Sequence, residues 1–134
     1  MKKILILACF FSLIISCNRI EKRPIDKNIL ATEKIVLDKK EYEHKDYKGI
    51  TLGFQKDIVY GYTGINFFNS RYEIKDGKLI THGINMTLAA GDPKATKIEH
   101  EILDLLRYNK KFEITRESVK LTDKSGKIHE FRIK

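Results

Sequence analysis

A two-residue Asp76-Gly77 step stands between two runs of alternating character, 71–75 (RYEIK) and 78–82 (KLITH). Both central positions of the tight hairpin turn need positive φ, which Asp and Gly supply at low cost. The chain is therefore committed to antiparallel strand pairing in its middle. Further β-type runs occur at 50–55 (ITLGFQ), 58–62 (IVYGY), 111–115, 118–122 and 127–133, with a short one at 85–89. The spacing also predicts a first strand at 32–37 (TEKIVL) and a charged loop at 39–48 (KKEYEHKDYK). Only one helix is predicted. Asp92 serves as its N-cap and Pro93 as its first residue, and Ala95, Ile98, Ile102, Leu105 and Leu106 recur at helical spacing. Lys94, Lys97, Glu99, Glu101 and Asp104 take its other faces, and Arg107, Lys110 and Lys111 suit the negative end of its dipole. About eight strands around one amphipathic helix make an α+β, mainly antiparallel β domain.

The N-terminus reads as an address. Met1-Lys2-Lys3 precedes an apolar block at 4–15, too short for a spanning helix but suited to a signal peptide. Its ending, Ile14-Ile15-Ser16-Cys17, resembles the bacterial lipobox. That resemblance implies cleavage after Ser16 and lipidation of Cys17, since stable anchoring takes two or more acyl chains. The alternative is an ordinary secretory signal that happens to end in cysteine. With residues 1–16 as signal peptide and 17–31 as a lipidated tether, the folded domain covers 32–134. Asn18 after the cysteine lacks the aspartate of inner-membrane retention, so outer-membrane placement is expected in a host with two membranes. Basic residues at 19, 22, 23 and 27 would lie near lipid headgroups or simply be solvated. Cys9 leaves with the signal and Cys17 carries lipid, so no cysteine remains for a disulfide. Export, and lysine outnumbering arginine 20 to 6, argue against nucleic acid as partner.

The mid-chain segment is similar to the META/HslJ-like domain family. Gly61-Tyr62-Thr63-Gly64-Ile65-Asn66 matches its G-[FY]-x-G-C-N segment, followed by a Tyr72-Glu73-Ile74 strand. Residues 84–90 (INMTLAA) resemble its T-x-M-A-C stretch. Leu105-Leu106 and the hairpin from Leu121 to Phe131 complete the order. The resemblance spans about 32–134 and implies a lipocalin-like, partly open β-barrel with one packed helix. Members are commonly exported or lipid-anchored and have been linked to stress responses, with no catalytic residues to carry over. The family's paired cysteines are Ile65 and Ala89 or Ala90 here, and its first-strand tryptophan is replaced, with Ile35 or a neighbour in its place.

No catalytic pattern stands out. His44, His82, His100 and His129 lack metal-ligand spacing, and Asp104 replaces the second histidine of an HExxH-like start at His100-Glu101. No serine sits in G-x-S-x-G, and Glu41/Glu43 and Glu99/Glu101 look like solvated pairs diluted by lysines. No enzyme activity, cofactor or metal is expected. Tyr60 and Tyr62 share a strand face, with Asn66 and Phe67 downstream, and these four form the candidate ligand or partner surface. The simpler reading makes the phenylalanines core, the tyrosines sheet cover and Asn66 a turn-shaping residue. The expected function is a membrane-anchored envelope module that docks a protein or serves a stress response. The alternative is a carrier holding a small hydrophobic ligand inside the barrel, lined by Phe54, Tyr60, Tyr62 and Phe67.

Overall fold

The computed structural model describes residues 36–134. Eight strands and one complete helix follow in chain order among the described residues: β1 (Lys40–His44), β2 (Thr51–Gln55), β3 (Ile58–Tyr62), β4 (Phe67–Lys75), β5 (Lys78–Met86), α1 (Pro93–Tyr108), β6 (Lys111–Ile114), β7 (Ser118–Thr122) and β8 (Ile128–Ile133). They form a single antiparallel sheet in the order β5-β4-β3-β2-β1-β8-β7-β6. The sheet curls into a half-barrel around a core that includes Leu37, Tyr42, Leu52, Phe54, Val119, Leu121 and Phe131, with Leu105 and Leu106 of α1 packed into it. Each such side chain contributes about 1.5–3 kcal/mol by leaving water.

The Asp76-Gly77 turn forms as its residue types require, with φ of +53° and +69°. The helix begins at Pro93, and Asp92 Oδ1 accepts from the amides of Lys94 and Ala95, both at 2.9 Å. Strand β5 runs further than expected and absorbs the start of the 85–89 run. Gly83, at φ +72°, sits where the β4–β5 register shifts between Asn69 and Arg71, so the strand bends without ending.

The start of the domain differs from expectation. Among the described residues the first strand is β1 at Lys40–His44, inside the segment read as a loop, and Val36 and Leu37 are helical. Residues 32–35 lie outside the described residues, as does Ile35 with its proposed place in the core. β1 hides its period because its outward residues, Glu41 and Glu43, are charged, while only Tyr42 and His44 turn fully inward.

The two ends of the sheet, β5 and β6, nearly meet. Phe112 N–H donates to Gly77 O at 2.7 Å. The Asn109 amide then imitates a strand: its Oδ1 accepts from Leu79 N–H at 3.0 Å and its Nδ2 donates to Leu79 O at 2.7 Å. The edge of β5 is thereby satisfied at this end, and α1 crosses the remaining opening, with Thr81 Oγ1 donating to Leu106 O.

Candidate functional site

Cys17, the expected lipid anchor, lies outside the described residues. The other four candidates fall within them, and the fold splits them. Cross-strand register sets Thr51 opposite Tyr62 and Tyr62 opposite Phe67, with Gly53 opposite Tyr60 and Tyr60 opposite Asn69 in the next row. These residues face outward, away from the core, because their neighbours Val59, Gly61 and Phe68 take the inward positions. Phe54 points the other way, into the core, so the four aromatics named for a barrel-interior cavity do not share one.

The outer face is organised around a missing side chain. A Cβ on Gly53 would lie 2.5 Å from Cζ of Tyr60, so the Tyr60 ring rests directly on the glycine backbone. Its hydroxyl donates to Glu41 Oε1 at 3.1 Å, which holds the ring down. Desolvation, then the bond to that carboxylate, raises the Tyr60 phenol above its ordinary range. Beside it Tyr62 and Phe67 pack with ring centres 4.8 Å apart, and Phe67 remains 66% exposed. Together with Glu41, Thr51 and Asn69 these rings line an open groove of about 500 Å³. An exposed phenylalanine tilted at 41° against a tyrosine, beside a ring resting on glycine, makes a preformed apolar contact surface.

Asn66 belongs elsewhere. It is 2% exposed and directed inward, at the end of the Thr63–Asn66 turn. Its Nδ2 donates to Glu99 Oε2 at 3.0 Å and to Ala89 O at 3.1 Å, and its Oδ1 accepts from Ala89 N–H at 2.7 Å and Thr87 Oγ1 at 2.9 Å. Thr63 Oγ1 also donates to Glu99. Glu99, read from sequence as solvated, is 7% exposed. It sits three residues before Ile102 on the inward stripe of α1, and its charge disguised that position. Asn66 thus pins both the helix and the β5–α1 connection to the β3–β4 turn. It is a structural residue, not part of the outer surface.

A second buried polar group had no sequence signal at all, since its two members lie 85 residues apart. His44 on β1 and His129 on β8 are 3% and 0% exposed, and His44 Nε2 lies 3.1 Å from His129 Nδ1. His44 Nδ1 accepts from the amides of Asp46 and Tyr47, each at 3.1 Å, so its proton is on Nε2 and points at His129. His129 consequently carries its own proton on Nε2, facing Asp123 Oδ2 at 3.4 Å and Glu101 Oε1 at 3.6 Å. Burial, and then the neighbouring His129, bring the His44 pKa down to about 4. Glu101 on α1 also receives Lys127 Nζ and the Tyr47 hydroxyl, and its bond to the lysine lifts Lys127 to about 12. Both rings are shielded from solvent, and the His44 side of the pair adjoins a surface cavity of about 360 Å³. Among the described residues no group of three or more His, Cys, Asp or Glu is placed to hold a metal ion.

The fold and surface define a partly open, antiparallel half-barrel sealed by one helix, with a filled interior and an aromatic outer face. The META domain model matches residues 36–133, and the chain belongs to that family. No curated protein matches it. Among solved structures, an NMR structure of a protein from Burkholderia xenovorans is similar, at 19% identity and a TM-score of 0.64. The match covers 77% of this chain and 87% of that one. A second NMR structure shares 13% identity with a TM-score of 0.60, covering 75% of this chain and 93% of the other. At these identities the likeness speaks to the fold alone.

Proposed function

We propose that the protein is a non-catalytic, membrane-anchored lipoprotein of the cell envelope that docks a partner protein through the outer face of its META domain. The observation that carries this reading is the placement of Tyr60, Tyr62 and Phe67 on the outside of a barrel whose interior is filled. Tyr42, Phe54, Phe131, Leu52, Leu105 and Leu106 are each at most 1% exposed, so the interior has little space for a hydrophobic ligand. The groove under Phe67, in contrast, is open, preformed and partly apolar, which suits a protein segment laid across the sheet. The lipobox-like Ile14-Ile15-Ser16-Cys17 supports a membrane tether, with about twenty residues between Cys17 and the first described element. Such an arrangement serves either constitutive docking or a stress response at the envelope.

Two measurements in living cells test it. Fatty-acid labelling and fractionation compare wild type with Cys17→Ala; loss of label and of membrane association is expected. A photo-crosslinker replacing Phe67 is expected to capture a defined envelope protein, whereas one at Lys75, away from the aromatic groove, is not. Capture of lipid or small molecule alone would favour the carrier. A Cys17→Ala protein that stays on membranes would remove the anchor from the proposal.

A further inference from the structure

The His44–His129 pair has a property that follows from its hydrogen bonds alone. Its protons are oriented in one direction, from the Asp46 and Tyr47 amides through His44 to His129 and on to Asp123 and Glu101. Every ring nitrogen is already engaged. His44 Nδ1 accepts two amides, His129 Nδ1 accepts His44 Nε2–H, and both remaining nitrogens are donors. An added proton has only two places to go. On His44 Nδ1 it directly opposes two backbone N–H groups. On His129 Nδ1 it must donate back to His44 Nε2, which forces the His44 proton onto Nδ1 and the same conflict. Either way the bonds that hold residues 46 and 47 are lost.

The groups around the pair do not relieve this at the amide end. Asp123 and Glu101 face His129 from the β7–β8 turn and from α1, and Lys127 is tied to Glu101. On the loop side, Asp46 lies close enough to favour a charged His44, but Lys127 and His129 oppose it. Lys45 is engaged outside the pair with Glu130 at 3.7 Å. The Tyr47 ring stacks on His44 at 4.5 Å and its hydroxyl donates to Glu101, so Tyr47 is held by the His44 ring and by the carboxylate that faces His129, while the ends of the loop are held separately by Lys45 N–H to Glu130 O at 2.9 Å and Ile50 N–H to Tyr47 O at 3.2 Å. The consequences reach the surface. Gly49, whose amide is held by Glu43 Oε1 at 2.7 Å, lines the aromatic groove. Asp46, Tyr47 and Lys48 line a separate cavity of about 420 Å³ against the first turn of α1.

We propose that His44 and His129 form an acid-sensitive latch that holds the 45–49 loop closed near neutral pH and releases it on mild acidification. The loop then uncovers one side of both grooves while the sheet remains folded. The device depends on the histidine geometry and stands whether or not the outer groove docks a protein.

The test is NMR on the full chain with ¹⁵N-labelled histidine and backbone. At neutral pH both rings are expected as Nε2–H tautomers. If His44 titrates at about 4 when the loop is closed and at its ordinary value when open, protection of the Asp46 and Tyr47 amides falls about 20-fold from pH 7 to pH 5, after correction for intrinsic exchange. Their resonances shift with the His44 ring while those of β3 and β4 stay at native positions. In His44→Gln the loop is expected to be poorly protected at both pH values, with no pH dependence. Should that variant fail to fold, the wild-type tautomer and titration suffice. A His44 proton on Nδ1 at neutral pH would overturn the latch. So would unchanged loop protection at pH 5, or loop and strands shifting together as in global unfolding.

Discussion

Replacing Asn66 by Ala removes five hydrogen bonds, two of them from Nδ2 to the two oxygens of Glu99, but they are not equal. Those to Ala89 and Thr87 reach exposed groups that water can satisfy once the amide is gone, so each costs only a fraction of about 1 kcal/mol. The bonds to Glu99 are different. That carboxylate is 7% exposed and has no cationic partner within salt-bridge distance among the described residues, and apart from Asn66 the side chain donating to it is Thr63. Losing one of two donors to a buried carboxylate costs about 1.5–3 kcal/mol, which dominates the total. Asn66→Ala should therefore destabilise the domain by about 2–4 kcal/mol in urea unfolding followed by circular dichroism. A double-mutant cycle isolates the cause. Glu99→Leu places an apolar side chain on an already apolar stripe, and in the Asn66→Ala background it should recover stability rather than lose more. The coupling expected is about 1.5–3 kcal/mol. A cost below about 1 kcal/mol, or two substitutions that add within about 0.5 kcal/mol, would refute the view that Asn66 exists to satisfy Glu99.

Three other outcomes are expected. Stability should decline by about 2 kcal/mol between pH 7 and pH 5, because His44 binds its proton less well when folded (pKa about 4) than when unfolded; stability from such a group is full above the unfolded pKa and is lost as pH falls toward the folded one. Asp123, brought to about 2 because hydrogen bonds led by that from Ser125 outweigh desolvation, loses its contribution only below this window, so urea titrations of wild type and His44→Gln should separate the two. Gly53→Ala puts a methyl into the Tyr60 ring, which must lift off the sheet and break its bond to Glu41; the tyrosine ring resonances should move, at a cost of about 1–3 kcal/mol, and an unmoved Tyr60 would contradict the packing. Tyr42→Phe should leave stability unchanged or raise it by about 1 kcal/mol in the same urea assay, since the Tyr42 hydroxyl is buried with no hydrogen-bond partner among the described residues.

Much of the architecture was legible locally. The Asp76-Gly77 hairpin and the Asp92-Pro93 helix start each depend on the conformational preferences of two adjacent residues, and both occur as read. The strand at Ile58–Tyr62 has the bounds its alternation suggested, and the two tyrosines do share a face. β1 was not legible, because charged residues at its outward positions look like a loop when the inward partners are only Tyr42 and His44. Glu99 misled in the opposite way, a carboxylate in a buried stripe whose donors, Thr63 and Asn66, lie 36 and 33 residues earlier.

Residue preferences acting over a few neighbours determined the hairpin, the helix, the period of the strands and the family to which the chain belongs. Which face of the sheet became the inside was decided only by its curvature, which buried Phe54 and left Phe67 in solvent. The joining of His44 to His129 was likewise decided by the pairing of β1 with β8, strands remote in sequence. A side chain's own chemistry fixes what it can bond to, but contacts between distant segments form only once the sheet closes, and no local pattern records them.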